Sequence, residues 1–261
     1  EIEIRDATKL WGQGAQQTQQ LVKDELNDRE IQVLTIGQAG ENLVRYANVM
    51  TLLKNAGGRT GMGAVMGSKN LKCVAARGTM DVKIAHPEQA LEYNKKIVKE
   101  ITSAKVSVTQ GKLGTPMIWG ATNSWGGVRT RNFRSNQFEY SDAIEPEAID
   151  EHIIGWAGCF GCQVHCRGRY KIPSGPYKGV YGEGPEYTAQ GAFCGEPGCD
   201  SMEALLTGNH LVNDYGMDVL EVGSMIAWAM ELYEEGILTL EDTDGMDLKF
   251  GNEKALIEMV H

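Results

Sequence analysis

The sequence predicts an α+β protein, with a β-rich part over residues 1–80 and a mainly helical part over 81–261. Short apolar runs alternate with glycine-rich breaks through residue 78, and longer stretches with helix-capping signals follow. Between them, residues 78–85 carry neither pattern, which sets the expected domain boundary near residue 80.

In the first part, residues 1–5, 32–36, 41–47 and 71–77 read as strands, and residues 18–26 read as a helix. Between the last two expected strands lies GGRTGMGAVMG, residues 57–67, with five glycines. Glycine at that density lets backbone N–H groups approach a bound phosphate or cofactor, although a glycine-rich strand connection has the same composition.

The second part opens at Pro87, which follows His86 and suits the first position of a helix running to about residue 101. A short helix is expected over 146–154, then a long loop to 198, then helices over 201–213, 219–235 and from 252 onward. Asp200 with Glu203, and Asp218 with Glu221, have capping-box spacing, and Gly216 suits the left-handed residue that ends a helix.

Composition narrows the partners. A net charge of −10 opposes nucleic-acid and anionic-membrane binding, because neutralising phosphate takes clustered Lys and Arg. No run of about 18 apolar residues appears and the start lacks the features of a signal peptide, so a cytoplasmic location is expected. The chain has no initiator methionine and stops within a helical pattern, so it is expected to be an internal piece of a longer protein.

Six cysteines in such a chain favour metal ligands or buried thiols over disulfides. Cys159, Cys162 and Cys166 fall within eight residues, CFGCQVHC. A 4Fe–4S cluster takes four thiolates, so this motif supplies three and the fourth lies elsewhere. Zinc is the other reading, but zinc sites more often add a second C-x2-C pair or two histidines, and neither follows. Cys194, Cys199 and Cys73 are the candidates for the fourth ligand within the chain, Cys73 reading rather as a buried thiol, and the fourth ligand is expected beyond residue 261.

Taken in order, IGQAGEN at 36–42, GRTGMGAVMGSKNLK at 58–72, RTRNF at 129–133, the cysteine motif, GPEY at 184–187 and DYGMD at 214–218 resemble the aldehyde ferredoxin oxidoreductase family. Members of that family extend beyond both ends of this chain. The resemblance implies a tungsten atom, in some members molybdenum, held by two pterins whose phosphates are bridged by Mg2+, with a 4Fe–4S cluster nearby. Residues 1–80 would be the end of the pterin-cradling domain, and 81–261 the start of the helical cluster- and pterin-binding region.

Carried over residue by residue, the resemblance implies that Arg59, Gly61, Gly63 and Ala64 meet the pterin phosphates, a carbonyl near Ala64 reaching the magnesium. Cys159, Cys162 and Cys166 would hold the cluster. Asp214 is the expected pterin ligand and Asp218 the second candidate, since Asp218 is equally explained as a helix cap. Glu186 would move protons beside the metal, with Glu183 as its alternative.

The implied reaction oxidises an aldehyde to a carboxylic acid and passes electrons singly through the cluster to ferredoxin or an iron–sulfur subunit, in a homodimer or hetero-oligomer. Two other readings stand beside it. One is a reductive member of the benzoyl-CoA reductase type, in which a protein cysteine, here Cys194, would approach the metal. The other is an iron–sulfur or zinc module without a substrate.

Overall fold

A computed structural model of the chain describes residues 2–261. Near the N-terminus, α1 (Ala15–Glu25) packs over strand β1 (Gln32–Thr35). A short helix α2 (Gln38–Glu41) follows, then strands β2 (Val49–Thr51) and β3 (Asn55–Gly57), helix α3 (Met62–Ser68) and strand β4 (Cys73–Ala76). These strands form one antiparallel sheet in the order β3-β2-β1-β4.

Two expected strands differ. Residues 2–5 have no regular structure, and Glu1 lies outside the described residues. The segment read as a strand over 41–47 is a turn, because α2 leads into Leu43 with φ of 60°, a left-handed conformation that cannot continue a strand. The pairing strand comes later, at β2, where Met50 faces Thr35 of β1.

Residues 78–86 are exposed and irregular. The second part contains α4 (Pro87–Ser103), α5 (Lys105–Leu113), α6 (Trp119–Ser124) and α7 (Pro146–Asp150). The helix expected over 146–154 is therefore shorter, since its last residues enter strand β5 (Ile153–Ala157).

β5 pairs with β6 (Arg167–Lys171), and β6 with β7 (Tyr181–Glu183), in a three-stranded antiparallel sheet inside the stretch read as loop. Helix α8 (Tyr187–Gln190) continues into a π-helical turn, Gly191–Gly195. Then come α9 (Met202–Tyr215), α10 (Val219–Glu234) and α11 (Glu253–Glu258).

The cap of α9 is Ser201, whose Oγ accepts from the Ala204 N–H at 3.1 Å, rather than Asp200. Asp218 caps α10 as expected, and Gly216 ends α9 with φ of 71°.

The main core is built on α9, α10 and the π turn, with Trp119, Phe138, Tyr170 and Phe193 fully buried. Each of these rings contributes on the order of 1.5–3 kcal/mol by leaving water. Tyr170 also fixes the small sheet to α9: its hydroxyl donates to the Leu206 carbonyl at 2.8 Å and accepts from Asn209 Nδ2 at 2.9 Å. Tyr170→Phe removes both of these buried hydrogen bonds and is expected to lower stability by about 1–3 kcal/mol in urea denaturation.

Candidate active site

The two parts of the chain meet along one seam. The Asn48 N–H donates to the Gly216 carbonyl at 2.7 Å, the Asp218 N–H donates to the Tyr46 carbonyl at 3.0 Å, and Ala47 bridges Met217. A cavity of about 250 Å3 opens along this seam, with Asn48, Lys54, Arg59, Glu186, Asn213 and Asp218 on its wall.

Glu186 sits where the chain leaves β7 and enters α8, as the residue before the first turn of that helix. Lys54, from the tight turn between β2 and β3, forms an ion pair with one of its oxygens, and the Thr115 hydroxyl donates to the other. The same hydroxyl accepts from the Tyr187 N–H at 2.9 Å, so the carboxylate is fixed from two separate elements. Burial pushes the Lys54 ammonium down to about 8, opposed by the nearby Cys166 and aided by Arg167.

Glu183 has a different place. It is buried, with Arg169 Nε donating to Oε1 at 3.1 Å and Arg167 Nη1 in ion-pair contact with Oε2 at 3.3 Å. That second contact lacks hydrogen-bond geometry, so Oε2 is a buried acceptor without a donor. Two guanidinium groups balance this carboxylate, and it is not on the cavity wall.

The three cysteines lie on the loop between β5 and β6, residues 158–166. Arg167 pins this loop to the first sheet: Nη2 donates to the Gly158 carbonyl at 2.6 Å and Nη1 to Asn55 Oδ1 at 2.5 Å. Asn55 is the neighbour of Lys54, which places the cysteine loop beside the Glu186 end of the cavity.

Cys159 is exposed and Cys162 and Cys166 half-buried, and among the described residues no three His, Cys, Asp or Glu side chains converge as a metal cage. A cluster-binding loop is ordered by the cluster itself, because bringing unliganded thiols together has nothing to offset it. The donor set still fits an iron–sulfur cluster: three soft ligands on one hairpin, with Lys54 and Arg167 beside them to balance negative charge.

Cys194 and Cys199 sit in the main core, where burial raises both thiols, Cys199 to about 11. Cys73 is half-buried against the smaller core under α1.

Part of the glycine loop reaches the cavity. Gly58 and Arg59 line it, and Arg59 Nη1 lies 3.3 Å from Asp218 Oδ1. Gly61 and Gly63 have structural work instead. A Cβ on Gly61 would meet the Arg45 carbonyl oxygen at 2.4 Å, and one on Gly63 the Asn48 carbonyl oxygen at 2.6 Å. The N–H groups of Gly63 and Ala64 are taken by the Ala47 and Gly61 carbonyls, and those of Thr60 and Gly61 have no backbone acceptor among the described residues.

The two aspartates also separate. Asp214 Oδ1 accepts from the Gln16 N–H at 3.0 Å, its carboxylate packed against Gly14, so it serves the first turn of α1. Asp218 faces the cavity, with Oδ1 taking the Leu220 and Glu221 N–H groups while Oδ2 lies toward Gly58. Asn48 Oδ1 is buried there without a donor, and Asn213 stands on the same wall. This cluster of acceptors suits the N–H-rich edge of an aminopyrimidine.

Sequence reading missed Lys54, Thr115, Asn48 and Asn213. Lys54 had a legible signal, a lone cation in the apolar run VMTLLK just before the glycine loop. The other three are common polar residues whose position only the fold supplies.

Glu186 and the half-buried Lys54 thus share one wall of the seam cavity, and the cysteine hairpin is anchored close by through Arg167 and Asn55. Residues 1–78 match the family model described as aldehyde ferredoxin oxidoreductase, N-terminal domain, and residues 92–261 the one for domains 2 and 3. The chain belongs to the aldehyde ferredoxin oxidoreductase family, whose members are oxidoreductases.

It is 36% identical to a tungsten-containing aldehyde ferredoxin oxidoreductase of Pyrococcus abyssi, over 100% of this chain and 43% of that protein. It is 33% identical to the WOR-like subunit of an aliphatic sulfonate oxidoreductase of Pyrococcus furiosus, with the same coverage. A solved structure of the active site complex BamBC of benzoyl coenzyme A reductase with 1,5 dienoyl-CoA superposes with a TM-score of 0.74 at 30% identity, covering 98% of this chain and 40% of that one. The chain thus spans less than half the length of these relatives. Among its described residues no helix is long and apolar enough to cross a membrane.

Proposed function

We propose that this chain is the portion of a tungsten or molybdenum bis-pterin aldehyde oxidoreductase that carries the proton-handling carboxylate and three cluster ligands. The observation that supports it best is Glu186, held by Lys54 and Thr115 at the cavity wall beside the cysteine hairpin. In this reading residues 1–80 end the pterin-cradling domain, and 81–261 begin the region that holds the cluster and the second face of the pterins.

When bound, the metal–pterin group supplies the two-electron oxidation of an aldehyde to a carboxylate, and the cluster carries the electrons onward singly. Aldehyde and water give carboxylate, two electrons and three protons, so a proton acceptor at the reacting carbon is required. Glu186 fills that role, and Lys54 holds its carboxylate in one orientation. Asp218, Asn48 and Asn213 accept from the pterin edge, while Arg59 and the free N–H groups at Thr60 and Gly61 donate to the pterin phosphates, and Mg2+ takes oxygen ligands, a carbonyl near Ala64 among them. Cys159, Cys162 and Cys166 hold the cluster.

Asp218→Asn keeps the helix cap, since Asn caps as well as Asp, but removes the charged acceptor, and pterin content is expected to fall. Asp214→Ala, which removes the acceptor for the Gln16 N–H, is expected to lower stability by about 0.5–2 kcal/mol with pterin retained. Fluorescence of acid-released, oxidised pterin separates the two.

The structural similarity to a benzoyl coenzyme A reductase complex favours a second, reductive reading. It would turn on Cys194, which is fully buried and not on the cavity wall. Aldehyde-dependent reduction of ferredoxin or a viologen dye by the full-length protein tests the choice: turnover supports aldehyde oxidation. Turnover only with an aromatic thioester and a strong reductant supports the alternative.

A further inference from the structure

Beside the seam cavity lies a second pocket of about 140 Å3, with Trp119, Val128, Arg129, Tyr187, Gly191 and Leu220 on its wall. The two spaces share Thr188 and Leu220, and Tyr187 directly follows Glu186 in sequence. The pocket is therefore a side chamber of the place where Glu186 acts.

Its walls are apolar and fixed. Trp119 is fully buried, its indole N–H donates to Ser141 Oγ at 2.9 Å, and its ring lies 5.9 Å from that of Tyr187. The indole thus has no donor left for a ligand and presents only ring surface. Arg129 brings the charge on this wall, and it is already balanced by Glu196 at 2.8 Å and stacked over Phe133 at 5.4 Å. A free carboxylate would find no unpaired cation here.

Gly191 keeps the chamber open. Its backbone is ordinary helix, φ −59° and ψ −48°, so no conformational demand calls for glycine. Nor does packing: a Cβ there meets nothing within 4 Å, whereas one on the nearby Gly195 would meet the Arg129 carbonyl oxygen at 2.6 Å. Glycine is a poor helix residue, and its presence at a position that tolerates a side chain leaves space on the cavity side. The resulting volume is close to the roughly 150 Å3 apolar cavity known to take benzene.

We propose that this chamber receives the substrate's side chain, that the side chain is an uncharged aromatic ring of about phenyl size, and that Gly191 sets this limit. The assignment to a substrate rests on the reading of the seam cavity as the reaction site; the affinity for an aromatic ring does not. Aromatic aldehydes are then the preferred substrate class, with the carbonyl carbon at the Glu186 end.

The test uses the full-length protein and its Gly191→Leu variant. Fluorobenzene, followed by fluorine NMR, is expected to bind the wild type saturably and to lose that binding in Gly191→Leu. The ratio of kcat/KM for benzaldehyde to that for acetaldehyde is expected to fall at least tenfold, mainly through KM. Gly191→Ala, which adds one carbon, should give the same trend at about threefold and serves if the leucine variant does not fold.

Fluorobenzene binding that is absent, or that survives in both variants, overturns the chamber. A ratio that does not move in an active enzyme overturns its role in substrate choice. A full-length protein that binds fluorobenzene but oxidises no aldehyde instead overturns the reading of the seam cavity.

Discussion

Glu186→Gln is expected to lower aldehyde-dependent turnover of the full-length protein by about 10²–10⁴-fold, the usual contribution of a positioned proton acceptor. The amide keeps the size and the Thr115 contact of the carboxylate but loses its capacity to take a proton. It also loses the ion pair with Lys54, so a companion variant separates chemistry from positioning. Lys54→Met leaves Glu186 in place without its cation and is expected to cost roughly 10–100-fold, the range typical of residues that orient a reacting group. In both variants iron and tungsten or molybdenum contents should stay at wild-type levels; loss of metal would mean that the pair is structural.

The second large effect is at the hairpin loop. Replacing Cys159, Cys162 or Cys166 by Ser exchanges a soft thiolate for a hydroxyl that does not ionise at neutral pH, and each is expected to strip the cluster. Bound iron and the broad visible absorbance fall together, and turnover with a one-electron acceptor falls by more than the roughly 10–100-fold that outer-shell changes cost. Cys194→Ser and Cys199→Ser test the opposite expectation. Both thiols are buried in the core, so these variants should lose stability while keeping iron. Iron loss in Cys194→Ser would give that residue a ligand role that the core position argues against.

The parts of the fold that could be read from sequence are those set by local signals. Pro87 opens α4, Asp218 caps α10 and Gly216 closes α9 because each of those jobs depends on one residue and its near neighbours. The strands β1 and β4 were legible from their apolar runs. The sheet of β5, β6 and β7 was not: β6 reads RGRYK, with charge where a core strand shows apolar residues. Its charges are spent on partners distant in sequence, Arg167 on Asn55 and Glu183, and Arg169 on Glu183.

The site divides the same way. The cysteine spacing stands out in the sequence because its chemistry is local, whereas Glu186, one carboxylate among many, is singled out only by the family resemblance of GPEY. Which glycine approaches a ligand and which approaches the protein's own backbone depends on the neighbours that folding supplies. Gly61 and Gly63 are occupied by the chain itself, whereas Gly58 and Arg59 face the cavity. Similarly, the sequence favours Asp214 over Asp218, which also reads as a helix cap, yet the αL turn at Gly216 sends Asp214 to α1 and Asp218 to the seam.

The central claim, that the seam and the cysteine hairpin together serve a metal–pterin group and an iron–sulfur cluster, is tested most directly by elemental analysis of the full-length protein purified without oxygen. Inductively coupled plasma mass spectrometry should find one tungsten or molybdenum and about four irons per chain, with phosphorus from the pterins in proportion. Zinc alone, with neither tungsten nor molybdenum above background, would contradict it.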